Sequence, residues 1–112
     1  VKIQFRVKKE ADFKQILDGK NHFKSSVFSL YYLTNQFDHA RVGISTSKTL
    51  GNAVVRNKIR RQIRSMVDNL VDFTQSMDYI ILVKVGYLNQ SFIKNKNDLS
   101  LMLERTRTRY GK

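Results

Sequence analysis

The sequence predicts a small α+β domain, with helices layered on one mixed sheet, from three observations. The run Tyr79-Ile80-Ile81-Leu82-Val83-Lys84-Val85 is almost continuously apolar, the pattern of a strand buried on both faces. Two earlier runs, Val27 to Leu33 and Arg41 to Ser47, are aromatic, β-branched or alternating, as strands are. Three other segments repeat their apolar residues at helical spacing. The order is helix, strand, strand, helix, strand, helix.

The first helix is expected from about Lys9 to Asp18, where Phe13, Ile16 and Leu17 share one side, with Gly19 as its stop. Asn35 to Asp38 reads as a polar turn, which makes the strands on either side antiparallel partners. A short extra strand near His22 to Lys24 is too brief for the pattern to decide. Thr49 to Asn52 is a loop ending in good N-cap chemistry, and a helix follows from Ala53 to about Val71. Gly86 to Asn89 turns the chain. A last helix is expected from about Asp98 to Arg107, with Leu99, Met102 and Leu103 on its apolar side.

The chain has 112 residues, the size of one compact domain spanning 1–112, and 41% of them are hydrophobic, too many for a disordered tail. Twenty-one Lys and Arg against nine Asp and Glu leave a net charge of +12. Such a charge attracts polyanions, nucleic acid first and an anionic membrane surface second. The absence of cysteine excludes disulfides and thiolate metal sites and suits a reducing cytosol. No apolar run reaches the roughly 20 residues of a membrane span. The start, Val1-Lys2-Ile3-Gln4-Phe5-Arg6, lacks a signal peptide's apolar core, and the missing initiator Met suggests trimming. A soluble, cytoplasmic protein is expected.

The stretch from Gly51 to Arg64 carries the most information. On a helical wheel Val55, Ile59, Ile63, Met66 and Leu70 gather within about 80°, a core-facing stripe. Arg56, Arg60, Arg64, Asn57 and Arg61 fill the adjoining arc. Between Asp38 and Asp68 there is no acid, while Arg41, Lys48, Arg56, Lys58, Arg60, Arg61 and Arg64 all lie there. Like charges one turn apart cost a few tenths of a kcal/mol per pair. Phosphate would neutralise such a row, since the planar Arg fork can hold two of its oxygens. The amides near Asn52 and Ala53 would also help to hold an anion. The plainer alternative is a solvated face of a basic protein.

The runs Arg41-Val42-Gly43-Ile44-Ser45-Thr46-Ser47-Lys48, Gly51-Asn52-Ala53-Val54-Val55-Arg56-Asn57-Lys58-Ile59-Arg60-Arg61 and Ile63-Arg64 closely resemble the signature of the bacterial ribonuclease P protein family. Lys8-Lys9-Glu10-Ala11-Asp12-Phe13 and Asp78-Tyr79-Ile80-Ile81 extend the resemblance over most of the chain. Four positions depart from the family pattern. Lys58 stands where the second Arg of an Arg-Asn-Arg core is frequent, and Thr49 replaces a second Lys. Leu17 replaces a frequent Phe, and Ser25-Ser26 a frequent Asn-Arg pair.

The resemblance implies a fold like domain 2 of ribosomal protein S5, in the order α-β-β-(β)-α-β-α with a left-handed βαβ crossover, against the general right-handed rule. It implies two RNA surfaces. Lys48, Asn52, Arg56, Asn57, Lys58, Arg60, Arg61 and Arg64 would meet the catalytic RNA. A cleft between the first helix and the sheet, with Arg6, Lys8, Lys9, Phe13, Leu17 and Tyr31, would hold the single-stranded 5′ leader of precursor tRNA. Aromatic groups stack on bases with little sequence preference. The residues alone leave Phe13 open between core and cleft, and Tyr32 between core and rim.

The reaction implied is Mg²⁺-dependent hydrolysis of one phosphodiester to give the mature 5′ end. The RNA subunit would hold the metals, leaving this chain without catalytic or metal-binding side chains. His22 and His39 are isolated in sequence, and no carboxylate cluster suggests a two-metal nuclease. The expected partners are ribonuclease P RNA and precursor tRNA, with no membrane, DNA or obligate protein partner. The main alternative is a ribosomal-type protein that binds structured RNA without a role in cleavage. A helix-turn-helix DNA regulator lacks its preceding helix here, and a stand-alone metallonuclease lacks ligands.

Overall fold

The computed structural model describes residues 3–19 and 21–110, the side chains of residues 3 and 108–110 excepted. Helix α1 spans Glu10–Asp18 and is followed by strands β1 (His22–Lys24), β2 (Phe28–Thr34) and β3 (Arg41–Thr46). Helix α2 spans Ala53–Leu70, β4 Met77–Val83 and α3 Phe92–Tyr110. Single 3-10 turns occupy Ile3–Phe5, Lys48–Leu50 and Val85–Asn89. The strands form one sheet in the order β1-β2-β4-β3.

The expected β2–β3 hairpin does not form. β4 lies between the two, antiparallel to β2 (Tyr31 opposite Ile80) and parallel to β3 (Gly43 opposite Ile80). The cause is β4's composition: a strand apolar on both faces loses most if left at an edge, and here all but Leu82 of its seven residues are buried. The 35–40 link therefore crosses two strand spacings, roughly 10 Å. It is tied down on the way by Asn35 N–H to Ser76 O (3.0 Å) and Ala40 N–H to Phe73 O (2.9 Å). The short strand left open by the sequence is β1, pairing antiparallel with β2.

Each face of the sheet buries a separate apolar cluster. On one face α2 lies over β3 and α3 over β2, enclosing Phe28, Leu30, Tyr32, Ile63, Ile81 and Leu99. Tyr32 is therefore core, 1% exposed. On the other face α1 is the one helix among the described residues, with Val7, Ile16 and Ile80 buried and Phe13, Leu17, Tyr31, Leu33 and Leu82 packed around them. The expected stripe of α2 holds: Ile59, Ile63, Met66 and also Val67 are buried, while Val55 and Leu70 pack at its margin.

Gly19 stops α1 as expected, whereas the start of α3 differs from expectation. Gly19 closes α1 in a right-handed conformation, its N–H reaching Gln15 O and Ile16 O, so no left-handed cap is involved. α3 begins at Phe92, six residues before Asp98, because Ser91 Oγ accepts from Lys94 N–H (3.1 Å) and Asn95 anchors the first turn. Asn95 is buried and donates to Tyr87 O (3.1 Å), while Gln90 donates to both Asn95 (2.8 Å) and Asp98 (3.0 Å).

Candidate nucleic-acid interface

The chain enters α2 through Gly51, whose φ of 140° a side chain rarely adopts; a Cβ there would also sit 3.1 Å from Val55. Asn52 caps the helix, its side chain accepting Val55 N–H at 3.1 Å. The first turn carries no acid. Beyond the cap, Asn57, Lys58 and Arg61 are exposed, and Arg56, Arg60 and Arg64 lie half-buried between them and the sheet. Lys48 is exposed on the preceding turn.

Arg60 is held by neutral partners. It donates to Thr46 Oγ1 at the end of β3 (2.6 Å) and to Asn57 Oδ1 (3.0 Å), which fixes the guanidinium without cancelling its charge. The Arg56 Nε is buried and meets no hydrogen-bond partner among the described residues. Among those residues no ion pair engages Lys48, Arg56, Lys58, Arg60, Arg61 or Arg64.

Arg41, grouped with these cations by sequence, does not belong among them. Its Nε and Nη2 grip Asp78 (2.9 and 2.7 Å), and Nη1 reaches Asp12 on α1 (3.1 Å). The hydrogen bonds it donates to Asp78, and then to Asp12, raise its pKa against the opposing effect of burial. Removing one member of so sheltered a pair costs about 3–5 kcal/mol, which marks this arginine as structural.

The face under α1 follows from the strand register. Three rows cross it: Lys24-Ser29-Leu82-Ser45, His22-Tyr31-Ile80-Gly43 and Leu33-Asp78-Arg41. Phe13 lies across Gly43 so closely that a Cβ there would fall 2.6 Å from its ring. Phe13 is thus both packed and accessible. It lines a cavity of about 170 Å³ together with Arg6, Val7, Val42, Gly43, Ile44 and Arg64.

The cleft expected from sequence is therefore brought together only in part. Arg6 and Phe13 meet in the cavity, Arg6 being fixed where the chain bridges to Val42 and Val7 N–H donates to Val42 O (3.1 Å). Leu17 and Tyr31 pack in the apolar layer beside it, both half-buried, while Lys8 and Lys9 stand exposed at the helix entrance. Arg64, placed by sequence on the other surface, joins Phe13. The two surfaces thus meet at the edge of β3. Sequence reasoning missed His22, whose ring stacks on Tyr31 at 5.0 Å, and Gly43; the alternation of β2 and β3 held the signal once register was known.

A family model for Ribonuclease P matches residues 1–107. The Ribonuclease P protein component of Streptococcus pneumoniae (strain Hungary19A-6) is 37% identical over 105 residues, covering 93% of this chain and 85% of that protein. Among solved structures, the Staphylococcus aureus RNase P protein is 34% identical with a TM-score of 0.84, over 92% of this chain and 95% of its own. The Thermotoga maritima RNase P protein, 20% identical, shares the fold with a TM-score of 0.78 over 89% of this chain and 96% of its own. With its sheet, its basic helix and its near-complete overlap with these relatives, the chain belongs to the ribonuclease P protein family.

Proposed function

We propose that this chain is the protein subunit of a ribonuclease P ribonucleoprotein that removes the 5′ leader of precursor tRNA. In this reading α2 presents Arg56, Asn57, Lys58, Arg60, Arg61 and Arg64, with Lys48 and Asn52, to phosphates of the RNA subunit. The cleft under α1 takes the single-stranded leader, with Phe13 and Tyr31 offering ring faces to bases and Arg6, Lys8 and Lys9 following the backbone. The observation that carries the reading is the row of cations on α2 that no carboxylate neutralises among the described residues, meeting the Phe13 cavity through Arg64.

The chemistry is hydrolysis of one phosphodiester, for which Mg²⁺ held by the RNA would supply an activated water and charge stabilisation. In this reading the roles of this chain are binding and phosphate neutralisation. Each phosphate contact would release a counterion, so binding should weaken steeply with salt.

The test is the affinity of the reconstituted particle for precursor tRNA and for mature tRNA. The proposal expects the leader-bearing form to bind more tightly, by an amount that falls when Phe13 is replaced by Ala. Equal affinity for the two, alongside tight binding of structured RNA, would favour a ribosomal-type role instead.

A further inference from the structure

We propose that Arg41 is a positioning residue for the leader cleft, acting through Asp12 to set where α1, and with it Phe13, sits on the sheet. The inference rests on the leader-binding reading of that cleft.

α1 is poorly anchored by its own sequence. It has nine residues, shorter than a helix that persists alone, and its N-cap, Lys9, makes no side-chain hydrogen bond. Its contact with the sheet is mainly apolar, through Phe13, Ile16 and Leu17. Apolar contact is non-directional and resists sliding weakly. A directional tie is needed to fix the helix along the strands.

Arg41 supplies that tie with a fixed geometry. Two of its donors are taken by the two oxygens of Asp78, which lies directly across the ladder on β4. Asp78 is itself held by Asn35 Nδ2 at 2.8 Å, and the Phe37 ring covers the guanidinium at 4.6 Å. The plane of the fork is therefore set by groups outside α1. Its remaining Nη1 points at Asp12 Oδ2, at 3.1 Å.

The pairing sets the seat of Phe13 because of two adjacencies. Asp12 and Phe13 are consecutive on α1, while Arg41 and Gly43 are two apart on the same face of β3. Fixing Asp12 over Arg41 brings Phe13 over Gly43, the one position in the row where the absent Cβ lets the ring lie down. A lysine in place of Arg41 would keep the charge but lose the three-directional fork.

The experiment uses the particle reconstituted from this chain and its RNA subunit. The readout is the affinity for leader-bearing precursor divided by the affinity for mature tRNA. Asp12→Ala leaves the Arg41–Asp78 pair intact and is expected to lower that ratio about fivefold, as does Arg41→Lys. Affinity for mature tRNA and for the RNA subunit should stay at the wild-type value. Adding Asp12→Ala to Phe13→Ala should produce no further loss, since both act on the same contact. An unchanged ratio in Asp12→Ala, with a reduced one in Phe13→Ala, would overturn the positioning role and leave the cleft reading standing. Additive losses would overturn it too. An unchanged ratio in Phe13→Ala would remove the cleft reading and this inference with it.

Discussion

Arg60 and Arg41 are both sheltered arginines on or beside β3, and they differ in what neutralises them. Arg41 faces two carboxylates, whereas Arg60 is aimed by a hydroxyl and an amide and keeps its full charge. Arg60→Ala is therefore expected to weaken RNA-subunit binding and to lower the slope of log affinity against log salt by about one unit. An unchanged slope would show that Arg60 meets no phosphate. Gly43 is the second decisive residue. Gly43→Ala would drive a methyl into Phe13 and Ile80, whose atoms would lie 2.6 and 2.9 Å from it. A loss of about 1–3 kcal/mol in denaturant unfolding is expected, with a matching loss of leader discrimination. Neither Arg41's role nor Gly43's was legible in sequence, because their partners lie far along the chain: Asp12 and Asp78 are 29 and 37 residues from Arg41.

Among the elements, α2 was the most legible, since it combines a cap, a long apolar period and an unbroken cationic arc. β4 was legible as a buried strand, but its place between β2 and β3 was not. A short polar link between two strands reads as a hairpin unless a third strand needs the space. The start of α3 was hidden by the polar run Lys94-Asn95-Lys96-Asn97, in which Asn95 turns out to be buried. The turn before α3 docks on α2 through Tyr87, whose hydroxyl donates to Gln62 Oε1 at 2.7 Å. Burial pushes the Tyr87 phenol up to about 12 from its ordinary 10.0. The folded state holds that proton more tightly than the unfolded chain, so this contribution is intact below pH 10 and is lost as pH rises toward 12. Tyr87→Phe should flatten the fall in stability between about pH 10 and about pH 12, measured by denaturant unfolding. It should also cost about 1 kcal/mol at neutral pH for the lost hydrogen bond. A fall as steep as in the wild type would assign the alkaline sensitivity elsewhere, for example to Tyr79, whose pKa burial also raises.

At the scale of the whole molecule, the proposed function assigns two tasks to the two faces of the sheet, and they meet at its β3 edge. One face is closed by α2 and α3 over the larger core; the other carries α1 and leaves a cavity beside Phe13. The charge of +12 was legible from composition, and its concentration along α2 from the missing acids. What composition could not show is that Arg64 reaches around the edge to the α1 side. The most direct test of the subunit role is reconstitution of this chain with its ribonuclease P RNA at near-physiological Mg²⁺, assayed on precursor tRNA. The account predicts cleavage at the mature 5′ end that requires both components. Binding of the protein to that RNA without any stimulation of cleavage would contradict it.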